Sequence, residues 1–446
     1  FGFGRMVTTG IFIMFIGYLV LSLPLGKDTV AIAAMGASLI LIALGTGLFK
    51  GNLQVMVGRL YDEPKYSQNR DSGFSLFYMA INIGAMFAPT AAIKIMKWAQ
   101  DTMHVSVEDS YHFAFAVACV SLIVSIAIYY IFSFTYKHVL ASETKKKDEK
   151  TPAKEVNELS PAETKERIVC LCLVFAVVIF FWMAFHQNGQ SLTWFARDYT
   201  QSTAEGWSRI GFNILALALI ATSVYTLFGI FQSEKTSGKV GCGVVTAALW
   251  CGAYAIFKGL PNPLEIQPQL FQQFNPFFVV ALTPVSMAIF SALAAKKTAK
   301  HPEGMEPSAP KKIGIGMLVA ACGYLVMIFA SIGQPSPASL NGTVAPDPVV
   351  PMYLIGTYLI LTFAELLLSP MGISFVSKVA PPKYKGLMMG LWFAATAVGN
   401  YLSSIPGLLW KKVSLTANWS ILMGLCIAAG VVMFALLKKL EAATKD

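Results

Sequence analysis

Long apolar runs separated by short polar breaks fill most of this 446-residue chain. They lie near residues 6–25, 30–58, 73–98, 111–135, 168–195, 208–231, 238–258, 271–295, 312–333, 350–378, 385–409 and 417–437. Each reaches about 20 residues or more, enough to cross ~30 Å of hydrocarbon as a helix. Twelve membrane-spanning helices are therefore predicted. A transmembrane barrel would show short alternating segments instead, and the chain lacks them. The stretch 136–167 breaks the pattern. It holds Lys145, Lys146, Lys147, Asp148, Glu149 and Lys150, and reads as a soluble, partly disordered linker between two halves.

Composition agrees: 55% of residues are hydrophobic and 13% charged, with a mean hydropathy of +0.60. A soluble chain of this size needs more charge to cover its surface. The net charge of +10 does not point to nucleic acid, because the basic residues cluster in alternate loops. Arg59, Lys65 and Arg70 mark one side of the membrane, as do Lys235, Lys239, Lys296, Lys297, Lys300, Lys311 and Lys312. Lys378, Lys383, Lys385, Lys438 and Lys439 join them. The positive-inside rule makes that side, with the linker and the C-terminus, cytoplasmic. Lys411 and Lys412 are the exception. The seven cysteines lie in apolar segments without metal-ligand spacing and read as packing residues. No HExxH, P-loop or nucleophile–base pattern is present, so an enzyme is not expected. The polar-basic lead Phe1 to Arg5 reads as the inside of a longer protein.

Few ionisable residues fall deep within the spans: Lys50, His186 and Glu365. A charge at the bilayer centre costs ~2.5–3.5 kcal/mol on insertion scales, so such groups must face a cavity or a partner. Lys50 is about 13 Å from Arg59 along an ideal helix, a difficult distance for one side chain to snorkel. It reads as a structural ion pair or as a cavity cation. His186 precedes Gln187, Asn188 and Gln190, which make the end of its span polar. It reads as a hydrogen-bonded packing residue or as a proton site, since an ordinary histidine titrates near ~6.5. Asn82 and Asn275 are amides that either bond between helices or line a cavity. Ser369 follows Glu365 by one helical turn. Trp182, Trp392 and Phe393 either pack in the core or wall a site. There is also an internal echo. Pro64-Lys65-Tyr66 leads into FYMAINIGA, and Pro382-Lys383-Tyr384 leads into WFAATAVGN, as in transporters built from parallel repeats.

Several blocks resemble one family. GTGLFKGNLQVMVGRLY (Gly45 to Tyr61) is similar to the lysine-bearing fourth core helix of the proton-dependent oligopeptide transporters, members of the major facilitator superfamily. NRDSGFSLFYMAINIGA (Asn69 to Ala85) resembles their fifth-helix signature, FWMAFHQNGQSLTWFA (Phe181 to Ala196) the seventh and FNPFFVVALTP (Phe274 to Pro284) the eighth. FAELLLSP (Phe363 to Pro370) resembles the tenth, and GLMMGLWFAA (Gly386 to Ala395) the eleventh.

The resemblance implies an all-α integral membrane protein of the major facilitator superfamily fold, with two helical bundles around a central cavity. Residues 1–135 would be the remainder of the N-terminal bundle, 136–167 a cytoplasmic linker and 168–446 the C-terminal bundle, with an extra helix pair inserted near 208–258. The implied function is proton-coupled symport of di- and tripeptides by alternating access, without a metal or other cofactor and driven by the proton gradient. Lys50, Asn82, Trp182, Asn275, Glu365, Ser369, Trp392 and Phe393 are implied at the substrate, and Lys50, His186 and Glu365 in proton coupling. A monomer in the bacterial inner membrane is expected. The alternatives are a member carrying another small solute, such as nitrate or a conjugated metabolite, or a non-transporting membrane sensor. Three departures from the family stand out. Its first-helix Glu-x-x-Glu-Arg motif is not in this chain, which reads as lacking the first two core helices. Gly51 replaces a common proline, and His186 stands where a glutamate is usual.

Overall fold

A computed structural model describes residues 2–26, 28–60, 70–137, 160–297, 304–340 and 342–442. The chain divides into two compact units, Phe1–Lys154 and Glu155–Asp446.

Unit one holds four helices: α1 (Phe3–Leu21), α2 (Thr29–Leu60), α3 (Arg70–Met103) and α4 (Val107–Ile131). The α1–α2 pair is packed backbone to backbone. A Cβ at Gly10 would come within 2.7 Å of Gly45 O, and one at Gly17 within 2.8 Å of Ser38 O. Glycine there lets the two helices approach as closely as small-residue membrane contacts do. Val7, Ile11 and Met56 are buried at one end of this pair, against Phe49, Leu122, Ile126 and Tyr129. Ser106 caps α4, its hydroxyl accepting from Asp109 N–H at 3.0 Å.

Unit two begins with α5 (Pro161–Phe185), a 3-10 turn at His186–Gly189 and α6 (Ser191–Asp198). Strand β1 (Thr203–Ala204) and a 3-10 segment, Gly206–Phe212, lead into α7 (Ile214–Gln232) and α8 (Thr236–Gly259). Strand β2 (Leu264–Glu265) pairs antiparallel with β1, placing Thr203 opposite Glu265 and Ala204 opposite Leu264. Five helices complete the unit: α9 (Phe274–Ala295), α10 (Ala309–Ala330), α11 (Met352–Val379), α12 (Lys385–Leu402) and α14 (Leu415–Ala442), with the short α13 (Ser404–Leu409) between the last two.

Helix α10 is the centre of the unit. It packs on α11 and α14 through glycines. A Cβ at Gly316 would meet Ala364 O at 2.9 Å, and Gly323 lies against Leu361. Tyr324 on α10 is fully buried and donates its hydroxyl to Ala184 O on α5. Trp419 on α14 stacks on Tyr324 and donates to Ser331 Oγ at 2.9 Å. Beyond α6, the buried Tyr199 donates to Pro335 O at 3.0 Å. Burial and then the Asp198 carboxylate push its phenol up to about 12, so it holds its proton, and that bond, well above neutral pH.

The hairpin α7–α8 packs on the rest of the unit mainly through α7, which lies along α9; there Tyr225 donates to Val280 O at 2.8 Å. Its α8 end is clipped by Arg209, which donates to Gly206 O, Leu260 O and Pro261 O and lies 4.6 Å over the Phe257 ring.

The structure corrects several sequence-based boundaries. Eleven helices among the described residues are long and apolar enough to cross a membrane, not twelve. The expected span 385–409 is two helices, α12 and α13, broken at Ser403. Pro406 has no N–H for the Leu402 carbonyl, and the next carbonyl, that of Ser403, accepts from Gln187 Nε2 at 2.9 Å. The expected span 168–195 likewise breaks at His186. The linker does not extend to 167, because helix α5 starts at Pro161. Ser160 and Glu163 form a capping box with the proline at the first helical position, so helix begins seven residues before the apolar run. The expected span 208–231 starts as an α-helix only at Ile214, where Asn213 caps the N–H groups of Leu215 and Ala216. The charged core of the linker, 138–159, read above as partly disordered, and Pro64-Lys65-Tyr66 of the internal echo lie outside the described residues.

Candidate functional site

Glu365 sits mid-way along α11 and is 7% exposed. A carboxylate so buried needs donors. Asn275, the second residue of α9, supplies one. Its Nδ2 donates to Glu365 Oε2 at 2.8 Å and to Thr362 Oγ1 at 3.0 Å. Thr362, Glu365 and Ser369 follow at helical spacing, so one face of α11 carries a hydroxyl, an acid and a second hydroxyl. Ser369 Oγ is buried and has no hydrogen-bond partner among the described residues. Pro370 follows within the helix, and its missing N–H leaves the Leu366 carbonyl without its usual donor.

Two tryptophans lie on the neighbouring helices. Trp182 on α5 stacks on the His186 ring at 5.3 Å and 23°, with Phe181 and Phe185 meeting it edge-on. Its indole Nε1 is buried, with no hydrogen-bond partner among the described residues. Gly399 on α12 makes room for it: a Cβ there would lie 2.5 Å from Trp182 Cβ. Trp392 on α12 is buried, meets Phe175 edge-on at 6.2 Å and lies flush against Gly372 of α11, where any side chain would collide with the ring. Phe393 beside it is half-buried.

The structure thus brings together Asn275, Glu365 and Ser369 as one polar group, Trp182 and His186 as a stacked pair, and Trp392 with α11. Lys50 and Asn82 belong to unit one. Lys50 is exposed on α2, and the buried Asn82 on α3 donates to Tyr78 O at 2.9 Å. Thr362, Gly372 and Gly399 were not singled out by sequence reasoning. Thr362 was readable, three residues before Glu365 on the same helical face. The glycines carried no signal in the chain, because each is defined by another helix: Gly372 by the Trp392 ring, and Gly399 by Trp182 Cβ and the Ile179 carbonyl. Gln187 is structural: fully buried, it ties α5 to Ser403 O and accepts from Ser191 Oγ at 2.6 Å.

The sequence model of the POT family, PTR2, matches residues 5–149 and 254–422. The chain belongs to the POT family. One matched segment falls on each unit. Together they include Lys50, Asn82, Asn275, Glu365, Ser369, Trp392 and Phe393, while Trp182 and His186 lie in the unmatched stretch between them. Among POT relatives, the peptide transporter YePEPT of Yersinia enterocolitica is 27% identical over 454 residues, covering 98% of this chain and 80% of its own. A di-/tripeptide transporter of Lactococcus lactis is 22% identical over 452 residues, with coverage of 98% and 80%. Solved POT structures share the fold. A peptide transporter bound to sulfate superposes with a TM-score of 0.64 at 22% identity, covering 100% of this chain and 82% of that one. A POT transporter in complex with 5-aminolevulinic acid gives 0.67 at 19% identity, with coverage of 98% and 82%. The fold is therefore the helical membrane-transporter fold that the sequence blocks implied.

Proposed function

We propose that this protein is a proton-coupled symporter that imports di- and tripeptides by alternating access. Its family and its relatives support this reading, and the buried Asn275–Glu365–Ser369 group carries it. Glu365 takes the ammonium of a bound peptide. Asn275 fixes one carboxylate oxygen, so the acid is oriented before the peptide arrives. Ser369, one turn on, offers a hydroxyl not spent on another of the described residues. Trp182, Asn82, Trp392 and Phe393 shape the site. Lys50 takes the peptide carboxylate or titrates with transport, and His186 with Glu365 contributes to proton coupling. Recognition of the two peptide ends leaves the side chains free to vary. The protein acts as a monomer in the bacterial inner membrane, with linker and C-terminus cytoplasmic. It catalyses no chemical reaction, and the proton gradient supplies its energy. Residues 208–258 are an insertion in the C-terminal bundle.

Glu365→Gln keeps the shape and removes the charge. A hydrogen bond to a charged group contributes ~1.5–3 kcal/mol, so dialanine binding should weaken about ten- to a hundredfold. N-acetyl-dialanine has no ammonium and should lose almost nothing. Equal weakening of both ligands would sink the amino-terminus assignment.

One solved POT member holds 5-aminolevulinic acid, which keeps a second reading open, that of another small solute. Counterflow of labelled dialanine in liposomes decides between them. Binding without translocation would instead favour a sensor.

A further inference from the structure

Lys312 is a residue that elementary physics places badly. It is the fourth residue of α10, where the positive end of the helix dipole disfavours a cation, and it is 4% exposed. A lysine pays both costs only where partners compensate. Here three groups surround its Nζ. The Glu306 carboxylate, from the connection before α10, forms an ion pair with it. The Phe290 ring of α9 lies 4.0 Å below it, and Met371 Sδ of α11 is 3.6 Å away.

Glu306 itself belongs to a strap, 304–308, that is fixed at several points. Gly304 adopts φ +111° and lies against Ala294 O, with no room for a side chain. Met305 N–H donates to Leu293 O at 2.9 Å, and Ser308 Oγ donates to Glu441 Oε1 of α14 at 2.5 Å. The strap therefore joins α9, α10 and α14. Lys312 carries that junction to α11 at Met371, immediately beyond Pro370. Glu365 lies six residues earlier, about 9 Å along the helix, on the other side of the proline.

We propose that Lys312 is a positioning residue for transport: its ammonium, joined to Glu306, Phe290 and Met371, pins the end of α11 beyond Pro370 to the strap, so that the two sides of the proline are held by different contacts. The transport part of this proposal rests on the symporter reading above. The pin itself does not.

Two variants of the full chain in lipid test it, Lys312→Met and Glu306→Gln. Hydrogen exchange reads the pin without any substrate. In both variants the backbone amides of 371–379 and 304–308 should exchange about fivefold faster, with 352–364 unchanged. Dialanine uptake should lose about fivefold in Vmax, with KM within about twofold, because the site is intact and only its motion is affected. Unchanged protection at 371–379, or loss spread evenly over unit two, would overturn the proposal; even loss would make the pair a general stabiliser. Should Lys312→Met fail to fold, Glu306→Gln, on the partly exposed side of the pair, carries the same test. If the wild-type protein takes up no dialanine, the peptide reading fails, and the exchange result alone decides the pin.

Discussion

Ninety residues separate Asn275 from Glu365, yet one hydrogen bond of 2.8 Å joins them. At this scale the sequence was half legible. A lone acid in an apolar helix announces itself, and Ser369 follows by spacing. The identity of the amide that holds the acid does not, because two candidate amides stood in the chain and only packing chooses. Lys312 was misread as an ordinary loop charge, since burial by α9 and α11 leaves no local trace. His186 was ambiguous, and the ring stack on Trp182 sharpens the question. If His186 takes part in coupling, His186→Gln should change the uptake-against-pH curve, because the variant loses a group of the type that ordinarily titrates near ~6.5. A curve superimposable on the wild type's would leave the residue as packing alone.

Among the elements, hydropathy found the membrane-crossing helices and missed where some of them end or break. Helix α5 outruns its apolar stretch because Ser160 and Glu163 cap it in water. The breaks at His186 and Ser403 were invisible because they depend on each other: Gln187, in the first break, donates to the carbonyl of Ser403, in the second. The hairpin α7–α8 was legible as a pair of apolar runs, and its anchoring residue, Arg209, was not. Its position invites excision. Strands β1 and β2 already hold the two ends of the segment side by side. Removing 206–262 and joining Glu205 to Pro263 through an Asn-Gly turn should give a protein that keeps at least about a third of wild-type peptide uptake, since the cut leaves the described site residues in place. A folded, peptide-binding excision variant with no uptake would show that the hairpin takes part in transport.

For the whole molecule, the chain forms two compact units, Phe1–Lys154 and Glu155–Asp446. The family was legible in blocks that fall on both units. The two ionisable groups proposed for the peptide ends are also divided, Lys50 on unit one and Glu365 on unit two. Under the proposed mechanism coupling needs both groups, and it can be separated from binding. Lys50→Ala should fold and still exchange dialanine by counterflow, yet accumulate it at most about twofold above equilibrium under a proton gradient, the loss expected when one protonation step is uncoupled from transport. Normal accumulation would remove Lys50 from the mechanism.

The ribbon of Thr203–Ala204 and Leu264–Glu265 also bears on descent. A stretch of gene whose product leaves and returns at adjacent residues can be gained, lost or replaced in a single event without re-routing the rest of the chain. The ribbon marks the seam where such an event would be found, and lineages of this family lacking α7–α8 should close the chain there with a short turn.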